Sequence, residues 1–280
     1  MTHVKNDKIA VLGLGIIGSL WARHYAEAER LAASWNRTPR PDAPRGVDHP
    51  SEAARRAGII QIVVADPAAV ASVIGDILPV IGPDHLVIQS STIDPASARR
   101  FSDLVGGTGA HYVEAPFTGS KPAAQSKQVV YYMGGNPADL DRAEGVLEVV
   151  SQVRLRIGTI EQAATLKLAM NLQVAIQMEA LAESLAFSRA AGIPDQIYFG
   201  ALEKNVGYSG LVQLKTTKLR QGDWSPQFSV KHMLKDMRLV LGIERGATLP
   251  LTKAVEACLE RARMNGWGDL DFSALFRNLE

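Results

Sequence analysis

The stretch that decides the fold is Lys8–Trp21, KIAVLGLGIIGSLW. Ile9–Leu12 is a short apolar run of the kind that forms a buried strand. Glycines at 13, 15 and 18 then lead into a pattern of helical period, read as a helix over Ile16–Ala28. Gly13 permits a tight turn, Gly15 lets the backbone approach a pyrophosphate, and Gly18 lets helix and strand pack closely. The amides at the head of that helix face the anion. Gly13, Leu14, Gly15, Ile16 and Ile17 are therefore the expected phosphate cradle. A lone G-x-G-x-x-G says little, but placed between a strand and a helix it points to a dinucleotide.

Working outward, strands and helices alternate. Strands are expected at Ala32–Trp35, Ile59–Ala65, Leu86–Gln89, Tyr112–Glu114, Val129–Met133 and Val153–Ile157. Helices are expected at Ser51–Ala57, Pro67–Ile77, Pro95–Val105 and Pro137–Val150. This pitch predicts an α/β fold with a Rossmann-type, doubly wound sheet. An NAD-binding sheet carries an acidic residue at the end of its second strand. Here the chain reads Asn36-Arg37-Thr38. No carboxylate repels a phosphate, and a guanidinium offers it paired donors. The expected cofactor is NADP(H) rather than NAD(H). Ala65 and Asp66 follow the third strand and Ser91 and Thr92 the fourth, where strand ends face the ligand crevice. For Ser90, Ser91 and Asp94, helix capping is an equal alternative.

After Gly158 the β pattern disappears. Residues 159–191 carry helical periodicity and stop at Gly192-Ile193-Pro194. The division expected is a Rossmann domain over 1–158 and an all-helical domain over 159–280, with 159–191 as a long connecting helix. On that helix Glu161, Thr165, Glu179 and Glu183 gather on one side, and Val174, Met178, Leu181, Ala182 and Leu185 form an apolar stripe. Lys167 and Asn171, at i and i+4, project into the stripe. A snorkelling lysine is the plain alternative. A partly desolvated lysine becomes a better proton donor near neutral pH. Further on, Ser225 is expected to cap a helix that begins at Pro226. In it Val230, Met233, Leu234, Met237 and Val240 are the buried stripe. Phe228, His232, Lys235, Asp236 and Leu239 lie on or near the other side, a mixture suited to a cleft wall.

Composition narrows the classes. The chain has 280 residues, 46% hydrophobic and 21% charged, with formal net charge +1. Such a balance gives no general pull toward nucleic acid or anionic membrane. One cysteine, Cys258, supports neither a disulfide framework nor a cysteine-rich metal site, and the six histidines are scattered. No metal is expected, and a cytoplasmic, reducing setting fits. The first residues do not read as a signal peptide, and no apolar run reaches the length of a membrane span.

Several motifs in order resemble the β-hydroxyacid dehydrogenase family over nearly the whole chain. They are GLGIIG (13–18), STIDP (91–95), EAPFTGSKPA (114–123), KLAMN (167–171) and LKDMRLVL (234–241). The tail GDLDFSAL (268–275) adds a likeness to the glyoxylate and succinic semialdehyde reductase branch. The resemblance implies that Lys167 is the catalytic lysine and Asn171 its companion. It implies that Thr118, Gly119 and Ser120 hold a substrate carboxylate, with Thr92 between nicotinamide and substrate. Phe228 and Asp236 would shape the substrate pocket, Lys235 would lie near the cofactor, and the helical domains would pair into homodimers or homotetramers. The activity implied is NADPH-dependent reduction of small aldehydes or 2-oxo acids. A 3-hydroxyisobutyrate-type dehydrogenase, an imine reductase and a non-catalytic NADPH-binding module are the alternatives. Departures from the family pattern stand at Thr118 (usually serine), at Glu161-Gln162-Ala163, at Thr165 and at 124–127.

Overall fold

The structure, a computed structural model, describes residues 8–243 and 247–280, so the leader reading of the first seven residues lies outside it. The chain forms two compact units, residues 1–167 and 168–280.

The first unit runs β1 (Ile9–Leu12), α1 (Ile16–Glu27), β2 (Leu31–Trp35), α2 (Pro50–Arg56), β3 (Ile59–Ile62), α3 (Pro67–Ile77), β4 (Leu86–Gln89), α4 (Pro95–Gly106) and β5 (His111–Glu114). It continues through β6 (Phe117–Thr118), α5 (Lys121–Gln125), β7 (Val129–Gly135), α6 (Pro137–Leu147) and β8 (Ser151–Gly158) to the start of α7 (Ile160–Ala190). The first five strands are parallel in the order β2-β1-β3-β4-β5. Strand β7 then joins β5 antiparallel, with β6 and β8 on β7. Side chains alternate across a strand. Ile9 and Val11 accordingly enter one core with Trp21 and Tyr25 of α1, while Ala10 and Leu12 enter a second with Val70, Ile74 and Phe101. Apolar burial on both faces is what a doubly wound sheet requires.

The order reverses at β1, between β2 and β3. Outside the carboxyl ends of the strands beside such a reversal lies the expected ligand crevice, and the glycine loop leaves β1 there. Gly13 has φ +109°, a region side chains avoid. A Cβ on Gly13 would stand 2.2 Å from the Val63 carbonyl oxygen, and one on Gly18 1.9 Å from that of Gly13. Loop, helix and sheet thus meet backbone to backbone.

Two readings change in this unit. The third strand stops at Ile62 rather than Ala65, because the Val64 amide bonds the Ser91 hydroxyl at 2.9 Å instead of a neighbouring strand. The sequence pattern also passed over β6 and α5, which are only two and five residues long.

The second unit holds the rest of α7, then α8 (Asp195–Leu202), α9 (Gly210–Gln221), α10 (Val230–Leu241), α11 (Pro250–Ala262) and a 3-10 segment at Phe272–Asn278. Its core gathers Met178, Leu181, Ala182 and Leu185 of α7 with Val230, Met233, Leu234 and Met237 of α10, all from the two stripes expected; Ala175 joins them, and Val174 of the expected stripe is only partly buried against them. One expectation fails here. Helix α10 begins at Val230, not Pro226. The amides of Gln227 and Phe228 are taken by Asp271 Oδ2, at 3.0 and 3.3 Å, which keeps that segment out of the helix. Asp236, on the side read as a cleft wall, is fully buried. Glu179 is buried too, where Glu183 beside it is exposed; burial raises the Glu179 carboxyl above its ordinary range, against a hydrogen bond with Cys258.

Candidate active site

In the first unit the cradle residues are arranged for an anion. Gly15 caps α1 with no side-chain partner for the helix amides. A Cβ on Gly15 would meet open space, and Gly15 and Ile16 are exposed. Free helix-head amides beside open space fit a pyrophosphate. Asn36 Oδ1 accepts from the Leu14 amide at 2.8 Å, so the end of β2 braces the loop. Arg37 and Thr38 are exposed next to it, and no carboxylate stands at either position. The residues present therefore fit a dinucleotide carrying a ribose phosphate. Ala65 is exposed at the next strand end. Asp66 is occupied as the cap of α3, accepting from Ala69 N at 2.8 Å, and Asp94 caps α4 in the same way from Ser97 N. Ser91 and Ser90 are engaged elsewhere: Ser91 Oγ by Val64 N and Ser90 Oγ by Gln61 Nε2.

Thr92 is half-buried, as are Thr118, Gly119 and Ser120. Gly119 adopts φ +122°, which turns the chain from β6 toward α5. Lys167 is 7% exposed. Its ammonium lies 5.9 Å from the centre of the Phe117 ring, which packs edge to face with Trp21 at 4.7 Å between ring centres. An ammonium over a ring face in a desolvated setting is attracted to it.

In the second unit Asn171, 7% exposed, donates through Nδ2 to Asp236 Oδ2 at 2.5 Å. The Lys235 ammonium meets Asp236 Oδ1 at 2.8 Å. Phe228 stacks on His232, with ring centres 6.2 Å apart, and His232 Nδ1 bonds Ser229 Oγ at 2.8 Å. Burial, then the charges of Lys235 and Lys231, hold the His232 imidazole below its ordinary range. The structure thus joins Asn171, Asp236 and Lys235 in one polar cluster, with Phe228 stacked on His232 of the same helix α10.

Sequence reasoning missed three polar clusters. Asp271 is fully buried and accepts from Lys215 Nζ at 2.6 Å, from Ser273 Oγ at 2.7 Å and from the Gln227 and Phe228 amides. Burial opposes ionisation there, but the lysine charge and these bonds hold the Asp271 carboxyl below its usual range. In the first unit Gln61 bonds Tyr25, Tyr131 and Ser90, and Gln89 bonds Glu114. The signal was a glutamine breaking an otherwise apolar strand, in IIQI and LVIQ.

Glu114 gives a pH prediction. Burial pushes its carboxyl up to about 8, against hydrogen bonds from Tyr112 and Gln89. The folded state keeps a proton that an unfolded glutamate releases near about pH 4.3. The stabilisation from that proton is full below the unfolded value and is lost as pH rises toward about 8. Thermal midpoints should fall across this range, and Glu114→Gln should flatten the fall. A variant that declines as steeply as the parent would show that this carboxyl is not the source.

Among the described residues no cluster of His, Cys, Asp or Glu could hold a metal ion. No helix among them is long and apolar enough to cross a membrane.

A glycine cradle at the switch point of a parallel sheet defines a dinucleotide-binding protein, and comparison with known proteins carries this further. Residues 8–160 match the family described as the NAD binding domain of 6-phosphogluconate dehydrogenase. Residues 162–279 match the NAD-binding domain of NADP-dependent 3-hydroxyisobutyrate dehydrogenase. Glyoxylate/succinic semialdehyde reductase 1 of Arabidopsis thaliana is 27% identical over 280 residues, 96% of each chain. The crystal structure of a 3-hydroxyisobutyrate dehydrogenase from Salmonella typhimurium is similar at TM-score 0.87 and 25% identity, over 97% of this chain and 99% of that one. An imine reductase from Myxococcus stipitatus, in complex with NADP+, shares the fold at TM-score 0.67 and 21% identity, over 98% and 100%. The chain belongs to the β-hydroxyacid dehydrogenase family, and it is an NAD(P)-dependent oxidoreductase acting on hydroxyl and carbonyl groups. NADP(H) is its cofactor.

Proposed function

We propose that this protein reduces a small aldehyde or 2-oxo acid of the glyoxylate or succinic semialdehyde kind to the hydroxy acid, using NADPH, with Lys167 as proton donor. The observation that carries the reading is Lys167 itself: a buried ammonium, held at an aromatic face, in a dehydrogenase fold. The likeness to the Arabidopsis reductase supports the substrate class. When bound, the dihydronicotinamide supplies the hydride. Lys167 hydrogen-bonds the carbonyl oxygen, polarises it and delivers the proton that makes the alcohol. Asn171, held by Asp236, is its companion. Thr118, Gly119 and Ser120 hold the substrate carboxylate with hydroxyls and amides, and Thr92 and Phe228 shape the pocket. Gly13, Leu14, Gly15, Ile16 and Ile17 take the pyrophosphate, Asn36, Arg37 and Thr38 the ribose phosphate, and Ala65, Asp66 and Lys235 complete the cofactor contacts. Residues 1–158 serve the cofactor. Residues 159–280 serve the substrate and pair copies into a cytoplasmic homodimer or homotetramer, which the 79% exposure of Phe187 supports.

The test is a panel assayed with NADPH: glyoxylate, succinic semialdehyde, methylmalonate semialdehyde and a cyclic imine. Preference for either of the first two supports the reading. Preference for the third favours the 3-hydroxyisobutyrate type, and turnover of the imine alone favours an imine reductase. Tight cofactor binding without turnover of any would make the protein a binding module.

Arg37→Ala tests the phosphate assignment. Loss of a charge-assisted contact costs about 1.5–3 kcal/mol, so the Kd for NADPH should rise about tenfold to a hundredfold while that for NADH stays put. Equal weakening of both by titration calorimetry would overturn the assignment.

A further inference from the structure

Gln89 closes β4 and Glu114 closes β5; they are register partners and both are fully buried. Gln89 Oε1 accepts from the Ser91 amide at 2.5 Å, and Gln89 Nε2 donates to the Ser91 carbonyl at 2.9 Å. One side-chain amide thus clamps both backbone groups of the residue two places on. The clamp works in one orientation only, because a flipped amide sets oxygen against oxygen and N–H against N–H. A second bond from Nε2, to Glu114 Oε1 at 2.9 Å, selects that orientation. Glu114 Oε2 is in turn fixed by the Tyr112 hydroxyl at 2.7 Å. Ser91 reaches the other way and ties the loop after β4 to the loop after β3 through Val64 N. Thr92 follows directly.

Buried polar chains of this kind carry a heavy desolvation cost, and fully satisfied ones fix a unique geometry. Strand pairing alone would hold β4 and β5 together without them. We infer that Gln89, kept in one orientation by Glu114, is a positioning residue that sets the Ser91–Thr92 segment for carbonyl reduction. The role of Thr92 rests on the function proposed above; the clamp does not.

The test uses the full-length protein with Gln89→Leu, Glu114→Leu, Glu114→Gln and the double leucine variant. Two quantities are read: hydrogen exchange at the Ser91 and Thr92 amides, and steady-state kinetics with NADPH and the preferred carbonyl. Glu114→Gln keeps an acceptor for Gln89 and is expected to preserve both. Gln89→Leu and Glu114→Leu should each speed Ser91 exchange about tenfold or more. Each should lower kcat about tenfold with the KM for NADPH unchanged. The double variant should be no worse than the poorer single one, since both break the same clamp. Three results would overturn the inference: Glu114→Gln as impaired as Glu114→Leu, multiplicative losses in the double variant, or faster exchange with unchanged kcat. If Gln89→Leu fails to fold, Gln89→Asn, too short to span both Ser91 groups, replaces it with the same expectations. If the parent protein turns over no carbonyl, the functional reading fails, while exchange still decides whether the pair holds the loop.

Discussion

Replacing Lys167 by alanine is expected to lower kcat by at least ~10²-fold, the usual scale for losing a general acid, with NADPH binding unchanged. Under the proposed role the ammonium meets the carbonyl oxygen as charge develops there, so its loss falls on the transition state more than on ground-state binding. Lys167→Arg keeps the charge but cannot readily give up a proton, and it should restore little. Stopped-flow single turnovers separate the chemical step from product release. Turnover of Lys167→Ala within about tenfold of the parent would mean that the proton comes from another group.

Asp271→Ala should be the most damaging single change to stability. It strands the Lys215 ammonium, which is buried and bonded to Asp271 at 2.6 Å, and it leaves the Gln227 and Phe228 amides without their acceptor. Breaking a buried pair by removing one partner costs about 3–5 kcal/mol. The Lys215→Met/Asp271→Leu double variant should recover part of that loss, because no uncompensated charge remains. Urea denaturation midpoints measure both, and a shift of Asp271→Ala within about 1 kcal/mol would mean that water reaches the lysine.

What the sequence disclosed, and what it hid, follows from the range of each interaction. The glycine loop, the strands and the two helical stripes are set by neighbours a few residues away, so KIAVLGLGIIG could be read locally. The start of α10 could not. Ser225-Pro226 has every local mark of a helix start, but Asp271, more than forty residues later, claims the amides that a helix there would use. Asp236 could be placed on a mixed face by period alone, but its partner Asn171, 65 residues away in sequence, could not be read from it. Gln61 and Gln89 were passed over because a glutamine in a strand gives no hint of its partners. Lys167 and Asn171 stood out because they interrupt an apolar face, and both are buried.

The backbone contact between Gly18 and Gly13, where even one added carbon would fall 1.9 Å from an oxygen, has a practical corollary. The loop meant to seat a diphosphate depends on close main-chain contacts that a side chain at either glycine would force apart. An engineer wishing to exchange one nicotinamide coenzyme for the other should leave that loop alone. Asn36 must stay as well, since it braces Leu14. Arg37 and Thr38, which are exposed, are the positions open to redesign.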